Sequence, residues 1–233
     1  MSTTVWLTKP AAPKDPKGGA GPWWEIRTHG PSAEEDGGQG QSRFAYIERD
    51  LSSGGGDAYR AARKDGARAF LLWTETSRRQ LLARVVTRTA TKGRSAVFEV
   101  LGAAGESLAL ITHERAMSGG HGRSRWTVQQ AGGPDAVGVK GNLFWWYVWW
   151  LLFPLWVAIA VGSIAGGGGD IARMPRTTRW KASGKEVMTW GSDGADFALS
   201  TSAEGWDPRV TAALAALVKS HEGWLGKPWD EGP

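Results

Sequence analysis

The chain has 233 residues, 28 Lys and Arg against 23 Asp and Glu, a formal net charge of +5, and no cysteine. That length allows one larger domain or two small ones. The absence of cysteine excludes disulfides, thiolate catalysis and cysteine-based zinc sites.

Residues 1–21 read as an N-terminal tail, dominated by Pro, Lys, Gly and Ala from residue 8 onward. They lack the apolar 7–15-residue stretch of a signal peptide. The bulk of the chain is therefore expected in the cytoplasm unless an internal segment directs export. Residues 22–92 read as an α+β part. WWEIRT (23–28) and RFAYIE (43–48) have strand character. DAYRAARKDGA (57–67) reads as a short helix, with Asp57 as cap and Gly66 as stop. ARAFLLWTE and RRQLLARVVTRT read as two further strands. In the second, Arg84, Val86 and Arg88 share one face, and Ala83, Val85 and Thr87 the other.

Residues 93–222 repeat one theme, a strand, a glycine-containing turn and a strand. The units are SAVFEVL–GAAGE–SLALITH, RWTVQQ–AGGPD–AVGVKG and TTRWKA–SGK–EVMTW, followed by DFALSTS (196–202). Connections of this length and composition predict hairpins. The last element has Asp207 as N-cap, Pro208 in its first turn and Gly223 as a stop. Val210, Ala213, Leu214, Leu217 and Val218 fall on one helical face, and Ala212, Ala215 and Ala216 cover much of the rest. A helix apolar nearly all round is enclosed, which predicts strands wrapped around it. Residues 223–233 read as a tail.

Between the second and third units lies LFWWYVWWLLFPLWVAIAVGSIA (143–165), with no charged residue anywhere between Lys140 and Asp170. Uncharged runs of this length are membrane-segment candidates. Eleven Leu, Ile, Phe and Val residues favour insertion by about 3–7 kcal/mol. Trp145, Trp146, Tyr147, Trp149 and Trp150 crowd the first half, as in an interfacial aromatic belt. Pro154 kinks a helix. Three arrangements follow: a straight transmembrane helix, a re-entrant hairpin bent at Pro154, or a segment lying in the interface. Basic residues flank both sides, so orientation is not set.

Two stretches are basic and free of acids: residues 76–98, which include Arg84 and Arg88, and 171–185, which include Arg173, Arg176, Arg179 and Lys181. Beside a membrane segment, these six residues suit anionic lipid headgroups, at about 1 kcal/mol per charge near the surface. A nucleic-acid partner is not expected, because the runs lack interleaved aromatics for base stacking. A membrane-protein partner is the other expectation for this surface.

FEVLGAAGESLALI (98–111), RSRWTVQQAGGPDAVGVKG (123–141) and WDPRVTAALAALVKS (206–220) together resemble the tubby C-terminal-like superfamily, which includes the phospholipid scramblases and LURP-one-related proteins. The resemblance covers about residues 79–220. It implies a β-barrel of antiparallel hairpins around a hydrophobic C-terminal helix. Residues 143–165 depart from that pattern, since one full span would put the hairpins and the helix on opposite sides of a membrane.

No phosphate-binding loop, nucleophile elbow or zincin motif occurs, and no acidic cluster is spaced like a calcium loop. His113, Glu114 and His121 are the nearest approach to a metal set, but fit no common ligand spacing. The expected function is a non-catalytic, membrane-associated module that binds anionic phospholipid or a membrane partner, without cofactor or metal. The alternative is a lipid-translocating protein, or an enzyme whose site is assembled from scattered polar residues.

Overall fold

The computed structural model describes residues 3–8, 24–29, 41–116, 123–141, 177–193, 196–202, 204–221 and 228–231. Its strands are β1 (Thr3–Thr8), β2 (Trp24–His29), β3 (Gln41–Arg49), β4 (Phe70–Trp73), β5 (Leu81–Ala90) and β6 (Ser95–Gly102). They continue as β7 (Ser107–Glu114), β8 (Arg125–Gln130), β9 (Ala136–Lys140), β10 (Thr178–Ala182), β11 (Lys185–Asp193) and β12 (Asp196–Thr201). Each pairs antiparallel with the next in sequence, and β1 pairs with β12, so the sheet closes into a barrel. Helix α1 (Gly55–Lys64) joins β3 to β4, helix α2 (Pro208–Ser220) follows β12, and a short 3-10 turn spans Trp229–Glu231. The expected class, antiparallel strands around an apolar C-terminal helix, is what the chain adopts.

Strand alternation decides what faces the lumen. Ala83 and Val85 of β5 are fully buried, as are Phe98 and Val100 of β6. The intervening Arg84 points outward to Asp50 at 2.5 Å, and Arg88 pairs outward with Glu99. A ring of about eight strands is filled by its own side chains, and a wider ring needs another filling. Here α2 supplies it. It touches β1 and β12 on one side and β5, β6 and β7 on the other. Residues Val210 to Val218 are all buried. Four alanines keep the helix thin, while Phe70, Phe98, Trp180 and Trp190 of the wall are buried in the same core.

The helix starts as its sequence predicts. The Asp207 carboxylate accepts from Arg209 N at 2.8 Å, with Pro208 in the first turn. Gln130, at the end of β8, clamps this start by accepting from Asp207 N and donating to Gly205 O. Helix α2 ends at Ser220 with His221 as its cap; the expected stop, Gly223, lies outside the described residues. Helix α1 begins at Gly55 behind a left-handed Gly54, so Asp57 sits in the first turn and is not the cap.

One packing contact depends on a missing side chain. A Cβ at Gly138 would lie 2.5 Å from the Trp180 ring, which is fully buried. Gly138→Ala should therefore lower stability by about 1–3 kcal/mol, the usual cost of overpacking. A fall in the thermal midpoint, recovered on adding Trp180→Leu, is the expected result.

Several readings need correction. Residues 1–21 are not all tail: Thr3–Thr8 is a strand, with Val5 and Leu7 buried, and it closes the barrel. Its six residues are too short to stand out beside the Pro- and Gly-rich run that follows. The division at 92/93 falls inside the β5–β6 hairpin of one continuous sheet. Residues 223–233 are not simply a tail either, since Trp229 and Asp230 are buried.

The apolar segment 143–165, with Trp145, Trp146, Tyr147, Trp149 and Trp150, lies outside the described residues, as do Arg173 and Arg176. Its flanks are described. Gly141 N donates to Thr177 O at 2.8 Å, and Lys140 pairs with Thr178 in the β9–β10 ladder. A single full span would separate these flanks by the roughly 30 Å of a bilayer core. The two flanks are hydrogen-bonded neighbours, so the chain leaves and re-enters the barrel at one point. Among the described residues, no helix is long and apolar enough to cross a membrane.

Candidate ligand-binding cavity

In an up-and-down barrel, connections alternate between the two ends. The connections after β5, β7 and β9, the one holding α1, and the C-terminus of α2 therefore share one end. Over the β5–β11 sector, the described connecting residues at this end include Lys92, Arg94, Arg115 and Arg123, and no acid. The opposite end of that sector carries Glu106 and Asp135, and no base in its connections. The polarity arises because odd-numbered and even-numbered turns differ in charge, a pattern spread over some fifty residues of sequence.

Inside the basic end lies a cavity of about 470 Å³. Its floor is the last turn of α2, with Val218, Ser220 and His221. Trp126, Trp190 and Thr178 line the wall, and Arg63, Arg68, Arg115 and Lys140 bring four cations to it, against the single carboxylate of Glu231. Arg115 and Lys140 each have interactions of their own as well.

A helix ending inside a barrel exposes carbonyls that water would otherwise satisfy. Here side chains cap them. Trp229 Nε1 donates to Ala216 O at 2.9 Å, and Arg68 Nη2 to Ser220 O at 3.2 Å. Leu217 O receives His221 N and the Ser220 hydroxyl. His221 Nδ1 also lies 2.9 Å from Leu217 O. A carbonyl only accepts, so the imidazole proton sits on Nδ1. Ser220 Oγ, 3.1 Å from Nδ1, then donates to the carbonyl and accepts from the ring. The pair is a helix cap, not an activated nucleophile and base. It leaves His221 Nε2 a bare acceptor, buried and without a partner among the described residues.

The two inner histidines form one cluster. His113 stacks on Trp126 with ring centroids 4.1 Å apart, and His221 meets His113 edge-on at 4.7 Å. Burial, reinforced by Arg115, Lys140 and Arg68, pulls His113 down to about 3. Burial, then the neighbouring His113 and Arg68, places His221 well below its usual range. Both rings are neutral at physiological pH. Glu114 points the other way, toward Arg125 at 3.8 Å, so His113 and Glu114 lie on opposite faces of β7. His121 lies outside the described residues. No cluster able to hold a metal occurs among the described residues.

The cavity edge is secured by a buried ionic knot. Asp230 Oδ2 accepts from Tyr59 OH at 2.9 Å and from Arg63 Nε at 3.0 Å, and lies 2.9 Å from Arg68 Nε. Burial and then Asp230 push the Tyr59 phenol upward, so it remains a donor. This ties the chain end to α1 and to the barrel, 171 residues apart in sequence at Tyr59.

The basic residues singled out from sequence are not gathered into one patch. Arg84 and Arg88 lie outward on β5, held by Asp50 and Glu99. Burial opposes ionisation of Asp50, but hydrogen bonds from Ser52 and the Arg84 guanidinium outweigh it and hold its pKa low. Arg179 and Lys181 are exposed on β10, five strands away around the barrel. Arg179 reaches Glu186 at 4.0 Å. The cavity residues escaped sequence reading because separate elements contribute them singly. The available signals were a histidine directly after an apolar helix and the Trp229–Asp230 pair, which looks like a frayed end.

The class defined here is a closed antiparallel β-barrel with an enclosed helix and a basic cavity at one end. No family model, curated protein or solved structure matches the chain.

Proposed function

We propose that this chain is a non-catalytic, membrane-attached barrel that presents its basic end to anionic lipid headgroups. Residues 143–165 would enter the near side of the bilayer from that end and return to it. The carrying observation is the Gly141–Thr177 hydrogen bond, which joins, at the basic end, the two flanks of the 142–176 connection that holds the uncharged segment. Arg123 donates to Gly141 O at 3.1 Å, and Lys92 and Arg94 lie in the β5–β6 connection at the same end of the barrel. Such residues suit anionic headgroups at about 1 kcal/mol each, weakening with salt. Arg173, Arg176, Arg179 and Lys181 belong to the same proposal, because they lie along the segment's return path and the strand after it. The kinship with the tubby-like superfamily is also proposed, supported by the meander order and the enclosed helix.

Replacing residues 143–165 by a short Gly-Ser linker tests the reading. Because the flanks already touch, the barrel should keep its thermal midpoint while the protein stops floating with vesicles. Changing Arg173, Arg176, Arg179 and Lys181 to Gln in the full chain should weaken flotation with anionic vesicles more than with neutral ones. Undiminished flotation of the linker variant would remove the reading.

A further inference from the structure

We propose that the cavity at the basic end of the barrel is a binding site for a small uncharged polyol or sugar, distinct from the outer surface that would face headgroups. At about 470 Å³ it falls within the size range of small-molecule sites, roughly 300–1,000 Å³. Much of its wall is neutral and polar. His113 on β7 pairs with Trp126 on β8. Just before β8, Ser124 lies level with Lys140, Thr178 and Trp190 across β9, β10 and β11. All six residues line the cavity.

Charge does not select the ligand. Arg63 is matched by Asp230 at 3.0 Å and Glu231 at 2.9 Å, and Arg68 by Asp230 at 2.9 Å. Arg115 and Lys140 have interactions of their own. Glu231, the carboxylate of the lining, is already on Arg63, so it does not await an ammonium group. Neither an anion nor a cation is called for.

Hydrogen bonding selects it. The His113 ring is held by aromatic contacts, stacked on Trp126 at 4.1 Å and met edge-on by His221 at 4.7 Å. Among the described residues no hydrogen bond engages its nitrogens. Burial keeps the imidazole neutral, so it presents one N–H donor and one bare acceptor. A wholly apolar ligand would leave both unpaired, which is costly. An ionised carboxylate only accepts, and an ammonium group only donates. A hydroxyl does both, and it matches the hydroxyls of Ser124 and Thr178 in the same way. A compact carbon frame carrying several hydroxyls can meet these groups together, with Trp126 and Trp190 as its apolar wall.

Titration of the full chain in a polyoxyethylene detergent, which carries no sugar, tests this. The probes are glycerol, glucose and sucrose, with glucose phosphate as the charged control, read by calorimetry and by the imidazole nitrogen resonances of His113. Saturable binding of at least one uncharged probe, with a shift at His113, is expected. Added salt should leave its affinity unchanged, because no charge pair forms. Glucose phosphate should bind no more tightly than glucose. His113→Phe keeps a ring on Trp126, and Thr178→Val keeps the side-chain shape. Each should weaken binding about tenfold, because a ligand hydroxyl loses its partner. His113→Gln restores a donor and an acceptor and should bind more tightly than His113→Phe. Thermal midpoints verify folding, and if one variant does not fold the other carries the comparison. The proposal is overturned if no uncharged probe binds saturably, if glucose phosphate is preferred in a salt-sensitive way, or if folded variants bind like the parent. No membrane takes part, so the outcome is independent of the membrane reading.

Discussion

Leu214→Asp should leave no cooperatively folded barrel. Leu214 sits midway along α2, fully buried, with Ala213 and Ala215 beside it equally buried and strands around it. A carboxylate there has no cation within the apolar stretch from Val210 to Val218. Burying it unpaired costs several kcal/mol even if it protonates, against a total stability of about 5–15 kcal/mol for a domain. The milder Leu214→Ala should cost about 2–5 kcal/mol through the lost contacts and the cavity left behind. Circular dichroism and thermal melting distinguish the two: a shifted but cooperative transition for Ala, none for Asp. A parent-like midpoint for Leu214→Asp would mean that the helix is not enclosed.

Stability should also fall steeply between pH 7 and pH 5. His113 titrates at about 3 and His221 well below its usual range, both because burial disfavours the charged ring, while unfolded histidine titrates near 6.5. The folded-state pKa is depressed in each case. Above pH 6.5 neither state binds the proton, and the full stability is present. Below it the unfolded chain takes up protons that the folded barrel refuses, and stability is lost down to the folded-state pKa. At pH 5 His113 alone accounts for about 2 kcal/mol, and His221 adds a loss of the same sign. For a chain of this size, the His113 share is a drop of roughly 4–8 °C in midpoint. The depressed carboxylates Asp50 and Asp207 act only lower, near and below pH 4. His113→Phe keeps a ring on Trp126 and should reduce the pH 7-to-5 loss by about 2 kcal/mol. A midpoint unchanged over that interval would show that the histidines are hydrated.

The hairpins and the central helix were legible because their physics is local. The turn at 103–106, the alternation along Leu81–Ala90 and the Asp207–Pro208 start are each written within a few residues. The near-continuous apolar surface of Val210–Val218 carried the inference of enclosure as well. Barrel closure was not legible. It depends on β1, six residues whose only signal is Val5 and Leu7, meeting β12 from the far end of the chain. The cavity was not legible either. Tyr59, Arg63 and Asp230 converge only because the closed barrel brings α1 and the chain end together. The orientation of His221 is set by a carbonyl four residues before it, which no spacing rule separates from an ordinary helix end. The apolar segment was legible as a run, but its geometry became constrained only through the neighbours Gly141 and Thr177.

The chain's lack of cysteine makes its central geometry directly measurable. Single cysteines placed at Ala103→Cys, in the β6–β7 turn before the apolar segment, and at Lys185→Cys, after it, both sit at the end of the barrel away from Gly141. Both native side chains are exposed. In sealed membrane vesicles, an impermeant maleimide should label the two variants alike, both from outside or both only after permeabilisation, because the chain leaves and returns on one side. Labelling of one from outside and of the other only after permeabilisation would place a full crossing between them, and the barrel described here could not close.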